Sequence, residues 1–559
     1  MAAPVSPALF DQFARGWRGY VLIALLALAG ALFGATQAPV MDADEARFVL
    51  VTRDMLERGA TRPETSAVPV HLLQDTAVRA LSPHRFSIIW PYRLPSAFGL
   101  ALAAVACLWA GSALMRPRPA LLGAGLFAAG IYAGFIGMIA TSDALLLGFT
   151  TLAMAALAQL RRIGLALRHT RLSALMFWFA LVVAVSIDAA PPLIVVAFAL
   201  AALVWWERSA AWMRPLLWWP GILLAIATAA ASFAAGSAFT GASLRLDTTH
   251  MAFPGYYLVL LPLLIFPATY ALPAALRLCI GALRAPRVER QPFLFLLAWA
   301  APIFLLCELW PTKAPHNVLP AYPAIALMCG AGLNAMRGRR WRSAHPAGLV
   351  LLGVSGAIIT VLIAGTATFM PGDVDADVRR AVSAAVIGVL VVGGAIAGLI
   401  YWRRATARGA VLIACALLLS YSLREHILPD ARALNVSGET VDALARLRLA
   451  PNENRKLWVV GYDEGSIVFL TRRAATIATA DVVAGGAKPG DALVVEGREL
   501  AAVQAALLAR DLTFNAEEEP VRGLALDSGK RVALYVGSVT AAAEEAAPPQ
   551  NPAKRSRSR

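Results

Sequence analysis

The sequence predicts a polytopic α-helical membrane protein that carries a small α/β domain outside the bilayer at its C-terminal end. Three observations lead there. Of 559 residues 59% are hydrophobic and only 15% charged, with a mean hydropathy of +0.64, a composition no ordinary soluble globule has. Apolar runs long enough to cross a hydrocarbon core of roughly 30 Å recur along most of the chain. Beyond Pro429 the pattern changes to short β-type runs broken by turn residues.

The apolar runs come in order at Tyr20 to Ala38, Leu94 to Met115, Ala120 to Ala140, Ala144 to Leu160, Leu172 to Ile187, Pro191 to Trp206 and Leu216 to Gly236. They continue at Pro254 to Leu276, Pro292 to Leu309, Val318 to Met336, Ala347 to Phe369, Ala381 to Tyr401 and Gly409 to Leu423. The hydropathy rule counts about thirteen spans. A first run of this length exceeds the apolar core of a signal peptide, so it reads as a retained span.

Arginine placement sets the expected orientation. The loops on the side of the N-terminus hold Arg116 and Arg118, Arg161, Arg162, Arg168 and Arg171, Arg208 and Arg214, Arg277 and Arg284 to Arg290, Arg337 to Arg342 and Arg403 to Arg408, while the short loops on the other face hold little beyond Arg245 and Lys313, with Arg379 and Arg380 at a helix start as the main exception. Positive-inside bias therefore predicts a cytoplasmic N-terminus and, with an odd number of spans, a C-terminal domain outside. The net charge of +15 is then mostly topogenic, which speaks against a nucleic-acid partner. All five cysteines, Cys107, Cys279, Cys307, Cys329 and Cys415, lie in or beside apolar spans and read as small buried hydrophobes.

These signals divide the chain into a transmembrane domain over 1–428, with a long first outer loop at 39–93, an outer α/β domain over 429–541 and a basic, disordered tail over 542–559. In the first loop, Phe48, Val51 and Met55, then Val70, Leu73, Ala77 and Leu81, are spaced for two amphipathic helices lying in the interface. In the outer domain Leu457 to Val460, Ala492 to Val495 and Arg531 to Val536 read as strands, and Leu500 to Leu508 as a helix.

Charge beside a bilayer is costly and tends to be functional. Asp44, Glu45 and Arg47 open the first loop, Asp143 begins the fourth span, Asp188 sits in an outer turn, and Lys313 and His316 share the turn before the tenth span. The orientation derived from arginines alone puts all of them on one membrane face, and this predicts a shared outward-facing cavity.

At these residues the chain resembles a known family. Asp44-Glu45-Ala46-Arg47-Phe48 followed by Arg53-Asp54-Met55-Leu56 is similar to the opening of the aminoarabinose transferase and protein O-mannosyltransferase group of GT-C membrane glycosyltransferases. Arg93-Leu94-Pro95-Ser96-Ala97, Ala140-Thr141-Ser142-Asp143-Ala144, Pro254-Gly255-Tyr256-Tyr257, Thr312-Lys313-Ala314-Pro315-His316 running on to Pro320, and Gly461-Tyr462-Asp463 follow in the family's order. Each motif is short, but together they span the chain.

The resemblance implies a GT-C fold and inverting transfer of a sugar from a polyprenyl-phosphate donor to a lipid, glycan or protein acceptor, on the periplasmic face of the plasma (inner) membrane. Lipopolysaccharide (lipid A) or another part of the cell envelope would be modified. It makes Asp44 the catalytic carboxylate, Arg47, Lys313 and His316 the ligands of the donor phosphate, and Asp143 with Glu45 a second acid or a site for a divalent cation. Two of the family's segments are replaced. The Glu-Lys-Pro-Pro of the first loop becomes Thr65-Ser66-Ala67-Val68-Pro69-Val70-His71, and a Thr-Lys-Gly-Pro becomes Asp188-Ala189-Ala190-Pro191. An alternative is therefore a catalytically degenerate member of the fold that binds polyprenyl lipids in envelope assembly. A transporter is disfavoured, because no internal repeat or paired broken helices are legible.

Overall fold

The computed structural model describes all residues but 1–13, 15, 41–42, 60–66, 83–85, 163–166, 235–252, 337–343, 369–373, 430, 453, 473, 526–528 and 543–559. The basic tail and most of the 237–253 loop thus lie outside the described residues. The chain forms two compact units, one of residues 1–38, 51–367 and 378–428, the other of 39–50, 368–377 and 429–559.

The first unit is a helical membrane unit. Among the described residues nine helices are long and apolar enough to cross a bilayer, and two bent pairs raise the number to eleven. The bent pairs are Pro117–Ala128 with Ile131–Met138, turned by 54°, and Tyr256–Leu264 with Ala268–Leu283, turned by 111°. Two further apolar helices, Trp17–Leu32 and Trp219–Ser232, are shorter. Each of the thirteen apolar runs therefore contains helix, but the expected count of thirteen crossings is not reached by length. The first run stops being helical early, where Gly34 takes a left-handed conformation at φ +72°. Large apolar side chains such as Leu223, Leu224, Val361, Leu362, Val389 and Leu390 are exposed, as lipid-facing residues are.

Small residues allow one very close helix contact. A Cβ on Gly99 would lie 2.5 Å from the backbone of Ala144 and Leu145, and one on Gly148 would lie 2.6 Å from the Gly99 carbonyl oxygen. Only glycine lets Trp90–Leu114 and Asp143–Leu160 approach so near, a contact that in a bilayer replaces hydrophobic drive with packing. The Ser96 hydroxyl donates to the Thr141 carbonyl at 3.0 Å, so the N-terminus of the helix that begins with Asp143 is fixed in place.

Two buried guanidiniums fasten the end of the first helix. Arg93 Nη1 donates to the carbonyls of Ala35 at 2.8 Å and Ala38 at 2.9 Å. Arg424 donates to the Gly30 carbonyl, and its neighbour Glu425 accepts the Gly34 N–H at 2.7 Å. Charge-assisted bonds thus satisfy carbonyls and an amide that the helix itself leaves open.

The two amphipathic helices of the first loop are Ala43–Arg58 and Val68–Leu81. The second has an inward face of mixed polarity. Val70, His71, Gln74 and Val78 are buried, while Leu72, Leu73 and Leu81 are exposed. The cause is a polar network: Thr52 donates its hydroxyl proton to Gln74 Oε1, Gln74 Nε2 donates to the Tyr92 carbonyl at 3.1 Å, and Thr52 Oγ1 lies 2.8 Å from His71 Nδ1. With the Thr52 proton already spent on Gln74, Nδ1 of His71 must be the donor. Burial pushes the His71 imidazole down to about 4, so it stays neutral.

The second unit contains the α/β domain. Its strands are β1 (Leu457–Val460), β2 (Ala475–Ile477), β3 (Ala492–Glu496), β4 (Leu512–Ala516), β5 (Val521–Ala525) and β6 (Lys530–Ala541). The order is β2-β1-β3-β6-β4, with β5 also on β6. β1 runs parallel to β2 and β3, while β6 runs antiparallel to β3, β4 and β5. All residues of β1 and β3 are buried, as central strands covered on both faces require. One core groups Leu457, Val459, Ile467, Val494 and Val536, the other Trp458, Val460, Leu493, Val495 and Val503.

Candidate functional site

Asp44, Glu45 and Arg47 fall in the unit that includes the α/β domain, whereas Asp143, Asp188, Lys313 and His316 fall in the membrane unit.

In the membrane unit Asp143 is the first residue of its helix, where a carboxylate meets the positive end of the helix dipole. The Thr141 hydroxyl donates to its Oδ2 at 3.3 Å. Asp188 accepts the Ala190 N–H at 3.2 Å, which secures the turn between Leu167–Ile187 and Ala190–Glu207. Partial burial pushes the Asp188 carboxyl up to about 6; the Ala190 N–H pulls against that, and the nearby Asp143 charge adds to it. The charges of these two acids thus bear on one another.

Lys313 is buried, at 4% exposure. Its ammonium donates to the carbonyls of Cys307, at 2.8 Å, and Glu308, and lies 5.3 Å from the centre of the Tyr257 ring. It therefore caps the C-terminal end of the helix Arg287–Leu309, the end that favours a cation. His316, three residues on, is partly exposed in the 3-10 turn Pro315–Ala321.

Tyr257 organises this corner. Its hydroxyl donates to the Ala314 carbonyl at 2.9 Å and accepts from the Ala314 N–H at 3.1 Å and from Asn317 Nδ2 at 3.4 Å. Its own N–H donates to Glu308 Oε2 at 3.1 Å. Tyr132 and Tyr322 pack edge to face at 6.2 Å. Glu308 Oε1, Asn317 Oδ1, the Tyr322 hydroxyl and Trp310 Nε1 are among the buried polar atoms that have no hydrogen-bond partner among the described residues. Sequence reasoning passed over Glu308 and Tyr322. An acid at the end of the apolar run Pro292 to Leu309 is the signal that could have found the first.

In the other unit Asp44 lies in the first turn of Ala43–Arg58, its side chain outside the described residues. Glu45 is fully buried and Arg47 is exposed. A Cβ on Gly465 would lie 3.3 Å from Ala46 Cβ and 3.5 Å from Arg47 Cγ, so the acidic motif packs on the loop after β1. Beside that contact lies a buried polar cluster. Glu464 Oε2 accepts from the Tyr462 hydroxyl at 3.0 Å and from Ser466 at 3.3 Å, and Ser437 Oγ joins Tyr462 at 2.9 Å and Ser466 at 2.7 Å. Burial and the Glu464 charge hold the Tyr462 phenol well above its usual range.

Among the described residues no three His, Cys, Asp or Glu side chains come together as a metal centre would need. Asp143 and Asp188 are two acids of the membrane unit whose charges bear on one another, and no step below runs through a cation.

No protein-family model matches the sequence, and no curated protein matches it either. Solved structures do. The chain is similar to ArnT from Cupriavidus metallidurans in the apo state, with a TM-score of 0.72 and 16% identity over 95% of this chain and 99% of that one. It is also similar to the same protein bound to undecaprenyl phosphate, with a TM-score of 0.68 and 17% identity over 92% of this chain and 97% of that one. The protein has the GT-C fold that the sequence motifs led us to expect.

Proposed function

We propose that this multi-pass membrane protein transfers a sugar, with inversion, from a polyprenyl-phosphate donor to a lipid, glycan or protein acceptor on the periplasmic face of the inner membrane. The observation that carries the reading is a fold shared along almost the whole chain with ArnT, a protein whose structure has also been determined with undecaprenyl phosphate bound. Modification of lipid A or another lipopolysaccharide component is the acceptor chemistry the resemblance favours. The N-terminus is cytoplasmic and the α/β domain periplasmic in this reading.

Asp44 accepts the proton of an acceptor hydroxyl as it attacks the anomeric carbon. Arg47 faces the departing phosphate, whose oxygens match a guanidinium fork. Lys313 and His316 add positive charge for the phosphate, and Asp143 shapes the pocket from the helix N-terminus. The acids of the first turn of Ala43–Arg58 stand where the helix dipole favours negative charge.

One observation favours the degenerate reading. Two of the three Lys313 protons are spent on the Cys307 and Glu308 carbonyls, which leaves one for a phosphate. The two readings part in a transfer assay in membranes with a labelled polyprenyl-phosphate sugar. Transfer by the wild type that Asp44→Asn abolishes supports the enzyme. Tight binding of the lipid without transfer supports the degenerate protein. Mass spectrometry of envelope lipids from cells lacking the protein would identify the acceptor.

A further inference from the structure

Glu308 is placed where a carboxylate costs most. It occupies the last turn of the helix Arg287–Leu309, the negative end of the dipole, in an otherwise apolar run. Its two oxygens have different fates. Oε2 accepts the Tyr257 N–H at 3.1 Å and so caps the helix Tyr256–Leu264. Oε1 is buried and has no partner among the described residues. The one ammonium close by, that of Lys313, donates to the backbone carbonyl of Glu308 and not to its carboxylate. A part-buried carboxylate with one buried oxygen unpartnered among the described residues calls for an explanation.

The surroundings limit what Oε1 is for. Asn317 donates its amide Nδ2 to the Tyr257 hydroxyl, which fixes the orientation of the amide and makes the unpartnered Oδ1 an acceptor. The Tyr322 hydroxyl and the Trp310 indole N–H are also unpartnered, so the open positions here include two that only accept hydrogen bonds, Glu308 Oε1 and Asn317 Oδ1. An anion has no use for acceptors. A saccharide, with hydroxyls around its ring and, in an amino sugar, an ammonium, supplies the donors they lack.

We propose that Glu308 is a substrate-binding residue whose Oε1 receives a hydrogen bond from a hydroxyl or ammonium group of the transferred sugar, with Asn317 Oδ1 as a second acceptor. This rests on the sugar-transferase reading and deepens it, because it assigns this corner to the sugar and not to the phosphate. Glu308→Gln is the informative variant, since its amide oxygen keeps the Tyr257 cap while the second position becomes a donor.

The test measures binding of three lipids to the purified full-length protein in detergent: undecaprenyl phosphate, undecaprenyl phosphate glucose and undecaprenyl phosphate glucosamine. The expected result is unchanged affinity of Glu308→Gln for undecaprenyl phosphate and about tenfold or greater loss for at least one glycosylated lipid, as removal of a charged hydrogen-bond partner implies. The larger loss for glucosamine would mean an ammonium ligand, and the larger loss for glucose a hydroxyl. Unchanged affinity for all three, or equal weakening of all three with a lowered thermal midpoint, would overturn the assignment and leave Glu308 as a helix cap. Wild-type protein that binds none of the three would overturn the proposed function itself.

Discussion

The ammonium of Lys313 stands 5.3 Å from the centre of the Tyr257 ring, and the hydroxyl of the same tyrosine holds the backbone of Ala314, the residue that follows the lysine. One side chain thus binds the lysine through its face and the lysine's loop through its tip. Replacing Tyr257 with phenylalanine separates the two effects. The face is kept, and the bonds to Ala314 and Asn317 are lost. Tyr257→Phe should lower stability in detergent by about 1–2 kcal/mol, the usual loss for buried hydrogen bonds. Tyr257→Ala should cost clearly more, because ring packing and the cation contact go as well. Thermal unfolding of the three proteins checks the order.

Asp188 gives a pH dependence with a definite sign. Its carboxyl is pushed up to about 6 from an ordinary value of 3.8, so between those limits the folded protein holds a proton that the unfolded chain has released. Stability should therefore fall as pH rises from about 4 to 6 and level off above. Asp188→Asn should be free of this term, and its advantage over the wild type should grow across the same window. A midpoint difference that stays flat from pH 4 to 7 would refute the shift.

His71 works in the opposite sense. Burial lowers its imidazole from 6.5 to about 4, so acidification through that window protonates the unfolded chain first and destabilises the fold. His71→Asn keeps an N–H near the Thr52 hydroxyl without a titrating group. It should show less acid destabilisation than the wild type between pH 6.5 and 4, measured by thermal unfolding in one detergent throughout.

The carboxylate and guanidinium of the acidic motif should differ in their kinetic signatures. If a hydroxyl is the acceptor, Asp44→Asn should reduce transfer by about 10² to 10⁴, the factor a general base contributes. Arg47→Lys keeps the charge but loses the fork and should raise the KM for the donor lipid more than it lowers kcat. Rates in membranes with a labelled polyprenyl-phosphate sugar decide both. Full activity in both variants would remove the motif from the mechanism.

Spans and strands were legible because their signals are local. Apolar length marks a helix in lipid, and short continuous apolar runs such as Leu457 to Val460 mark a buried strand. The edge strands β2, β4 and β5 were not read, since residues such as Thr513, Asn515 and Arg522 show no apolar run and owe their pairing to neighbours far along the chain. The inward face of Val68–Leu81 was not legible for a related reason. Its burial follows hydrogen bonds of His71 and Gln74 to Thr52 and Tyr92, which apolar spacing does not report. The polar motifs announced Asp143 and Lys313, but the half-satisfied Glu308 was visible only once its partners were in place.

The grouping of residues 39–50 with the chain from Pro429 onward bears on how this protein is made. The segment that carries Asp44, Glu45 and Arg47 leaves the ribosome early, while its packing partner at Gly465 is among the last parts to be synthesised. Contacts that close so large a loop form late and slowly. A nascent chain, or one cut short by a premature stop before β1, therefore holds its acidic motif without that support while the membrane helices are already inserted. A copy that ends before β1 lacks the Gly465 contact of Ala46 and Arg47 altogether.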